Sequence, residues 1–474
     1  MAVWTCLYLP SLCLQAFLRG SAKEVPAVVS TKSNRPAIVA LNRAAQLCGI
    51  EPGMSIAAAL ALHPDLRIHL HDPQLEAKAL EGIAVWAGQF TPSISLAPPN
   101  ALLLEVGSCL TYFGGLPALL QNIERGLLQL GFKARLASSP TPTGALLLAH
   151  AGAATHCSDL GELNRRLATL PVAVLQSARD HLDLLRTLGI DLLGDLLGLP
   201  ADGIARRFGA ELLDEMRRAL GDIPDPQKIF VPPETYQGQL ELPAPVFEAD
   251  ALLFAANRLI HELTGFLRTR GLGAARVEFD LLHEDCPPTR MNLGMSPSRD
   301  ADHLLLLLRE RLAHIALPEP AASVRLTLRE STPLAGRQAD FYPGAEQAKE
   351  ARAQLVERLR ARLGNHAIFA VKPHPDHRPE SAWRYCEPGA AQPDVSAQGA
   401  SPRPLWLLPT LLALEGGPQA LALQLESGPE RIESGWWDGA DVVRDYYVAV
   451  NRRGERRWIF RDRQGQWFLH GIFA

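Results

Sequence analysis

The chain has 474 residues, of which 47% are hydrophobic and 21% are charged, and its formal net charge is −4. This length predicts about three to five domains, and the charge balance excludes a globally basic surface, so any nucleic-acid contact must be local. The 7 scattered cysteines form no C-x-x-C pair, which argues against a disulfide framework or zinc knuckle and indicates a reducing cytosol. The N-terminal apolar stretch has no basic region before it, and no later apolar run reaches about 18 residues. We therefore expect a soluble, cytoplasmic protein.

The chain opens with a strand and a helix, which an insert follows. Residues 3–9 form an apolar run typical of a buried strand, and a helical stretch comes next. The following pattern predicts a strand, a helix closed by Gly49, a turn at 51–53 and a second helix ended by Pro64. We expect a compact helical insert at about residues 20–70.

The middle of the chain alternates between predicted helices and strands. The predicted elements are a helix at 74–91, a hairpin at 93–106 that turns at Pro-Pro-Asn, a helix at 116–131, a strand at 133–138, a helix at 142–151 and an all-helical block at 165–225. Strands and helices alternate again from 236 to 330, which indicates a separate small α/β domain.

The C-terminal part differs in composition. Residues 344–363 are charged and helical in pattern, and 388–404 have the composition of a flexible linker. Most of the tryptophans lie from Trp383 onward. The chain ends in an alternating pattern that predicts a β-hairpin turning at 464–465.

The block LDLLRTLGIDLLGDLLGLPADGIARRFG, residues 182–209, is a candidate helix-hairpin-helix. Its turn at Leu188, Gly189 and Ile190, with Gly194 in the helix that follows, would let backbone amides approach a DNA phosphate. The alternative is an ordinary αα-hairpin whose glycine is a helix C-cap.

The order of these elements resembles the Y-family translesion DNA polymerases. The resemblance is carried by the strand-helix opening, by ALNRAAQLCGIEPGMSIAAALALHPDL, by SISLAPPNALLLEVGSCLTYFGG and by the helix-hairpin-helix block. It implies a multidomain α/β fold with a right-hand polymerase architecture and a C-terminal extension. The implied parts are a palm at 1–20 and 71–164, fingers at 21–70, a thumb at 165–235, a little finger at 236–335, a clamp-binding peptide at 336–343, a helix and flexible linker at 344–404, and a partner-binding segment at 405–474.

The resemblance also implies where catalytic acids should stand. The family holds two magnesium ions with palm carboxylates, and the positions that match these acids are Leu7, Asn100 and Ala101. The remaining acid, Glu105, matches a residue that does not bind metal, so a structural role is favoured. We expect a pseudo-polymerase without catalytic residues, bound metal or cofactor.

The missing acids and the tail narrow the resemblance to the ImuB group of bacterial mutasome proteins. The tail, GPERIESGWWDGADVVRDYYVAVNRRGERRWIFRDRQGQWFLHGIFA at 428–474, closely resembles the ImuB C-terminal segment. This implies an adaptor in DNA-damage-induced mutagenesis that brings an error-prone replicative-type DNA polymerase and ImuA to DNA and the sliding clamp. The alternatives are an active translesion polymerase with a divergent metal site, and a helix-hairpin-helix repair protein without a polymerase partner.

A clamp-binding peptide needs a glutamine and a pair of apolar anchors in an exposed segment. Gln338, Asp340, Phe341 and Tyr342 supply this pattern after the last strand of the implied little finger. The rival peptide is 239–243, QLELP, which also fits the start of a sheet.

Further candidate contacts are basic and aromatic. Arginines of the implied little finger could track DNA phosphates, and alternation on a strand places two of them on one face. The candidates are Arg268, Arg270, Arg290, Arg325 and Arg329. The alternative is an ordinary solvated charged face.

Aromatic residues of the tail are candidate partner anchors, or else the core of a small tail domain. They are Trp436, Trp437, Tyr446 and Tyr447. His374 and His377 have a spacing that some metal sites use, but the neighbouring prolines favour a turn.

Overall fold

The computed structural model describes residues 2–21, 25–152, 155–334, 345–389 and 402–473, without the side chains of 345–350 and of residue 365. The chain divides into two compact units, Met1–Arg362 and Leu363–Ala474. The order of elements confirms the mixed α/β class that the sequence predicts. Within the described ranges, no helix combines the length and the apolar character that crossing a membrane requires.

The first unit contains strands and helices in alternation. Its strands are β1 (Trp4–Tyr8), β2 (Ala27–Ser30), β3 (Ile38–Leu41), β4 (Arg67–Leu70), β5 (Ile94–Ala97), β6 (Ala101–Glu105), β7 (Arg135–Ser139), β8 (Gln237–Val246), β9 (Leu272–Leu282), β10 (Thr289–Ser298) and β11 (Ala321–Pro333). The helices that begin in it are α1 (Leu12–Leu18), α2 (Arg43–Leu47), α3 (Ile56–Leu62), α4 (Pro73–Ala87), α5 (Leu110–Phe113), α6 (Leu116–Leu130), α7 (Pro142–Ala151), α8 (Leu160–Ala168), α9 (Leu182–Thr187), α10 (Leu193–Leu197), α11 (Ala201–Phe208), α12 (Ala210–Leu220), α13 (Ala249–Arg270), α14 (Ala301–Leu312) and α15 (Ala345–Leu363).

The N-terminal sheet has the strand order β5-β6-β1-β7 and is antiparallel throughout. Its strands are apolar on both sides because helices cover both faces. One face packs against α4 and α6, and the other packs against α7 and the helices after it. The predicted strand-helix opening and the hairpin at 93–106 are confirmed.

The insert is not purely helical, which corrects the sequence prediction. It forms the sheet β3-β2-β4, in which β2 pairs antiparallel with β3 and parallel with β4. Helices α2 and α3 begin at side-chain caps, since Asn42 accepts from the amide of Ala45 and Ser55 from that of Ala58. The strands add core residues such as Val28 to the insert. Two short helices by themselves could not form a core of this size.

The helical block at α8–α12 continues the core of the N-terminal sheet. Leu163, Leu185, Leu196 and Leu212 are buried in the same cluster as Leu103 of β6. An all-helical region is therefore confirmed between β7 and β8.

A second sheet has the order β10-β9-β11-β8, and all its pairs are antiparallel. Helices α13 and α14 cover one face, where Leu259, Phe266, Phe279 and Leu304 form the core. The other face carries the alternating polar positions of the strands, as expected for a sheet with one open face.

Helix α13 packs closely on α4, so the second sheet is fixed to the N-terminal sheet. A side chain at Gly265 would place its Cβ only 2.6 Å from Cδ1 of Trp86, so only glycine allows this approach. Beside this contact, Nη2 of Arg19 lies 3.1 Å from Oε2 of Glu262, with both side chains buried.

Helix α15 is confirmed and contacts the second sheet's domain through Glu357. Oε2 of Glu357 lies 2.7 Å from Nε2 of His303, and Oε1 accepts from the amide of Ser296 at 2.6 Å. Burial works to raise the pKa of Glu357, but these hydrogen bonds outweigh it and lower the pKa.

The second unit is mostly β-structure. Its elements are β12 (Ala370–Pro373), β13 (Trp383–Cys386), β14 (Trp406–Ala413), α16 (Gly417–Ala420), β15 (Gln424–Ser434), β16 (Val442–Val450), β17 (Arg456–Asp462) and β18 (Trp467–Ile472). The last five strands form an antiparallel sheet of order β14-β18-β17-β16-β15. The predicted terminal hairpin is confirmed, and Gly465 takes its positive φ of 81° in the turn. The β12–β13 hairpin was not predicted, and most of the expected linker at 388–404 lies outside the described residues.

Candidate functional site

Leu7 lies in the middle of the N-terminal sheet and is fully buried. The strand register places it opposite Leu102 of β6 and Leu136 of β7. Its side chain belongs to the core that α4 and α6 cover. This position is therefore a packing position, and an apolar side chain cannot bind magnesium.

The other two positions expected to match catalytic acids, Asn100 and Ala101, lie where β6 begins. The carbonyl oxygen of Asn100 accepts from the amide of Leu9 at 2.8 Å, and Ala101 is 1% exposed opposite Tyr8. Neither residue offers a carboxylate.

Glu105, the acidic residue at the end of β6, accepts hydrogen bonds from two backbone amides. Its Oε1 accepts from the amide of Val3 at 3.3 Å and from that of Gly107 at 3.0 Å. These two bonds support the structural role favoured for it. Over the described ranges, no group of three or more His, Cys, Asp or Glu side chains is arranged to hold a metal ion.

The turn at 188–190 contains a glycine C-cap, as in the alternative to a phosphate site. The amides of Leu188, Gly189 and Ile190 donate to carbonyl oxygens in the last turn of α9. Gly189 has a φ of 72°, as a left-handed cap requires, and the Ile190 side chain is 7% exposed. These amides are already bonded within the end of α9, which favours the C-cap interpretation of the turn.

The backbone amides before α10 are also bonded, in this case to a carboxylate of the chain itself. Oδ2 of Asp195 accepts from the amides of Asp191 and Leu192 at 3.3 and 3.0 Å. A side chain at Gly194 would place its Cβ 2.9 Å from the carbonyl oxygen of Ala168, so this glycine serves helix packing. The αα-hairpin alternative describes this block.

Two carboxylates lie in the middle of the open face of the second sheet. Glu278 and Asp280 are two residues apart on β9, and only 6% and 3% of their surfaces are exposed. Arg290 of β10 donates through Nε to Asp280 at 2.9 Å and lies 3.4 Å from Glu278, while Arg329 of β11 donates to Glu278 from the other side. Hydrogen bonds to these carboxylates raise the pKa of both arginines.

Arg325 lies on the same open face as Arg329, as their alternation predicts. The register pairs Arg325 with Asp280 of β9 and with Gln239 of β8. Its Nε and Nη2 donate to Oε1 of Gln239 at 3.1 and 3.0 Å. The structure thus brings Arg290, Arg325 and Arg329 together on one face.

Two other predicted arginines lie at the end of α13. Nη1 of Arg268 donates to Oε1 of Gln89 at 3.1 Å, and burial lowers the pKa of this arginine. Arg270 donates to the carbonyl oxygens of Pro233 at 2.5 Å and Glu234 at 3.4 Å. Arg270 therefore fastens the segment before β8 to α13.

The candidate clamp peptide, with Gln338, Asp340, Phe341 and Tyr342, lies outside the described residues. The rival peptide at 239–243 is part of β8, which pairs with β11, and its Leu240 is 3% exposed. A paired strand with a buried leucine is not an exposed peptide, so the sheet interpretation of 239–243 is confirmed.

The four aromatic candidates of the tail divide into two kinds. Trp436 and Trp437 are 78% and 57% exposed in the loop between β15 and β16. Tyr446 is 1% exposed, stacks on Trp458 at 4.0 Å between ring centroids, and shares a hydrogen bond of 2.7 Å with Nδ1 of His470. Tyr447 packs against Trp467. Tyr446 is thus a core residue rather than a partner contact, because its ring cannot be reached from solvent.

The segment with His374 and His377 forms the turn that was favoured over a metal site. The amide of His374 donates to the carbonyl oxygen of Ala382 at 2.8 Å, which closes the β12–β13 hairpin. Buried Arg378 then bonds Oδ2 of Asp376 at 2.7 Å and Oδ2 of Asp438 at 2.6 Å. This network joins the hairpin turn to the loop that carries Trp436 and Trp437.

Sequence reasoning did not find the paired carboxylates Glu278 and Asp280 or the aromatic residues of the β12–β13 hairpin. Glu278 and Asp280 stand at alternating positions of β9, as Trp383 and Tyr385 do on β13, and this alternation is visible in the sequence. The side chains that they contact depend on how the strands pair, which no local pattern gives.

The chain is similar to known proteins in sequence. Residues 13–150 match the family described as IMS, the impB/mucB/samB family. Protein ImuB of Caulobacter vibrioides (strain NA1000 / CB15N) is 28% identical over 463 residues, which cover 90% of this chain and 100% of that protein. DNA polymerase IV of Dehalococcoides mccartyi (strain CBDB1) is 25% identical over 281 residues, which cover 56% of this chain and 70% of that protein.

Solved structures also overlap with the chain. DinB from Sulfolobus solfataricus matches with a TM-score of 0.38 and 17% identity, covering 70% of this chain and 100% of that one. A ternary complex of Dbh matches with a TM-score of 0.40 and 17% identity, covering 69% of this chain and 98% of that one.

The N-terminal part of the chain is thus similar to the impB/mucB/samB family and to a DNA polymerase IV. Over nine-tenths of its length, the chain is a homologue of the ImuB proteins.

Proposed function

We propose that this chain is a non-catalytic adaptor in DNA-damage-induced mutagenesis and translesion synthesis. It would link DNA, the sliding clamp, an error-prone replicative-type DNA polymerase and ImuA. Its homology to ImuB and to a DNA polymerase supports the role in mutagenesis. The DNA synthesis itself would be carried out by the partner polymerase.

The observation that carries the proposal is the packing at Leu7. Two-metal phosphoryl transfer needs several oxygen ligands around each magnesium ion. At the matching positions of this chain, Leu7 and Ala101 are buried in the core and Asn100 is not an acid. Nearby Glu105 is held by two backbone amides. This part of the sheet supplies core packing in place of a metal site.

DNA would be held by the open face of the second sheet. Arg290, Arg325 and Arg329 present guanidinium groups along neighbouring strands, and Arg290 and Arg329 have side-chain exposures of 56% and 47%. Contacts to phosphates do not read sequence and weaken as salt is added. Such a face suits an adaptor that must bind any damaged template.

The partners would be held by separate segments. The peptide with Gln338, Asp340, Phe341 and Tyr342 is proposed to bind the sliding clamp. Exposed Trp436 and Trp437 are proposed to anchor the polymerase or ImuA, since tryptophan is enriched at interface hot spots. Linked weak sites raise the overall affinity without any new contact, because the second binding event becomes intramolecular.

Primer extension by the purified chain tests the absence of catalysis. With magnesium, a primed template and four deoxynucleotides, we expect no product, whereas extension that depends on magnesium would favour an active polymerase with a divergent metal site. Pull-down of the sliding clamp tests the adaptor role separately. A Gln338→Ala, Phe341→Ala variant should lose the clamp, and a Gln239→Ala control should retain it. Retention of the clamp by the first variant would refute the assigned peptide.

A further inference from the structure

Helix α15 presents a row of leucines to solvent. Leu355, Leu359 and Leu363 are 53%, 36% and 57% exposed. Their spacing of four positions places them on one side of the helix, because residues i and i+4 are neighbours on a helix surface. At a rise of about 1.5 Å per residue, this leucine stripe is about 12 Å long. Two turns of α15 thus expose apolar surface.

The opposite side of α15 is already covered. Glu357 bonds His303 and the amide of Ser296, and Ala361 packs against the core of the second sheet. Two positions along a helix correspond to a rotation of about 200°, so the leucine stripe lies nearly opposite Glu357 and Ala361. The stripe therefore cannot turn inward unless these contacts break.

The charges beside the leucine stripe are positive. Arg352, Arg358 and Arg362 are exposed, and each stands three positions from a leucine of the stripe, which makes it a neighbour on the helix surface. None of these arginines forms a hydrogen bond or ion pair within the described part of the chain. The one acid among residues 351–363 is Glu357, which belongs to the covered side. The exposed side thus combines apolar surface with uncompensated positive charge.

This combination matches an acidic amphipathic helix. Leucines spaced by four positions pack against the apolar side of a second helix, and the arginines beside them pair with its glutamates or aspartates. A second copy of α15 does not fit, because two identical basic faces repel each other. DNA phosphates would pair with the arginines but leave the leucines in water.

We propose that the leucine stripe of α15, with Arg352, Arg358 and Arg362, binds an acidic, leucine-bearing helix of a partner protein. The proposal rests on the proposed function, in which an adaptor holds its partners by separate surfaces. Helix α15 begins at Ala345, directly after the proposed clamp peptide in sequence. A protein bound to α15 would therefore be held at high effective concentration near the clamp.

The test uses the full-length protein and a stapled helical peptide about 15 residues long, with leucines at every fourth position and glutamates beside them. Binding is followed by surface kinetics at several salt concentrations. Leu355→Ser with Leu359→Ser should weaken binding at least about tenfold, mainly through faster dissociation. Arg358→Gln with Arg362→Gln should slow association and flatten its salt dependence, because charges at the rim steer the encounter.

A charge exchange tests the pairing directly. Arg358→Glu with Arg362→Glu should lose the acidic peptide and gain a peptide that has lysines in place of the glutamates. The matched controls are Leu128→Ser, which changes a leucine of α6 that is 54% exposed, and Arg206→Gln with Arg207→Gln at the end of α11. Both controls should bind as the wild type does. The arginine variants keep the leucines, so they remain informative if the leucine variant fails to fold.

Pull-downs with ImuA and with the error-prone polymerase test whether a partner uses the site. At least one of them should be lost in both the leucine and the arginine variants, while the clamp is retained. Retention of both proteins would overturn the proposal, whatever the peptide shows. Since clamp binding and primer extension do not depend on α15, that failure would leave the adaptor proposal standing.

The other possible ligands give different results. Blunt duplex DNA and vesicles of mixed phosphatidylcholine and phosphatidylglycerol are offered to the same variants. Weaker binding of either one, with the peptide and both proteins bound as by the wild type, would assign the face to phosphates and overturn the proposal. A wild-type dimer that the leucine variant dissociates would assign it to a second copy and overturn it equally.

Discussion

Neutralising the two carboxylates on the open face of the second sheet should strengthen binding to duplex DNA. In the wild type, Glu278 and Asp280 hold Arg290 and Arg329 by hydrogen bonds. A phosphate must therefore compete with a carboxylate for each guanidinium group. The variant Glu278→Gln, Asp280→Asn keeps the shape of both side chains and removes their charge.

The magnitude follows from the number of arginines released. Each phosphate contact on duplex DNA contributes about 0.9 to the slope of log affinity against log salt. Two released arginines should steepen the slope by up to about 1.8, which corresponds to as much as about sixtyfold tighter binding at 0.1 M salt relative to 1 M. The gain should disappear near 1 M salt, where counterion release no longer favours binding.

The assay is anisotropy of a labelled blunt duplex titrated at several salt concentrations. A control with the same charge change, Asp302→Asn with Glu310→Gln, alters α14, which covers the opposite face of the sheet. We expect the control to bind nearly as the wild type does. Equal affinities and slopes for the two double variants would show that net charge alone matters, and the assignment of DNA to this face would be wrong.

Three further changes test the packing and the ionic network. Gly265→Ala should destabilise the protein by about 1–3 kcal/mol in chemical denaturation because its methyl group meets Trp86, whereas Gly203→Ala, with open space around it, should not. Leu7→Asp should cost about 3 kcal/mol or more and restore no primer extension, because it buries an unpaired charge. Hydrogen bonds from Arg378 lower the pKa of Asp376 from 3.8 to about 2, so this carboxylate stabilises the fold above pH 4 and ceases to do so as the pH falls towards 2. Asp376→Asn should flatten that part of the pH dependence of thermal unfolding followed by tryptophan fluorescence.

The sequence predicted those strands and turns whose pattern is contained in a short segment of the chain. The run at β1, the alternation at β17 and β18 and the glycine in their turn each lie within a few residues. Strands β2 and β4 were missed because each is four residues long and neither alternates clearly. Their pairing joins residues about forty positions apart, which no local pattern reveals.

The site residues show the same limit at the level of single side chains. A glycine after a short helix, such as Gly189, is typical both of a helix C-cap and of a phosphate-binding turn. The hydrogen bonds of the surrounding amides are what favours the C-cap. Tyr446 and Trp436 are both aromatic residues of the tail, yet one lies in the core and the other in water. Glu278 could be placed on an open face from the sequence, but its pairing with Arg329 depends on the register of β9 with β11.

The packing at Leu7 connects the fold with the proposed loss of catalysis. A carboxylate in the middle of a sheet lowers the stability of the fold, because its charge is partly removed from water and must be paired with a cation. Leucine at this position packs with Leu102 and Leu136 and adds to the core that α4 covers. Since α4 is also the helix on which α13 packs, the core beneath Leu7 supports the position of the second sheet. In the proposed adaptor, replacing the acid would thus stabilise the frame that holds the DNA-binding face.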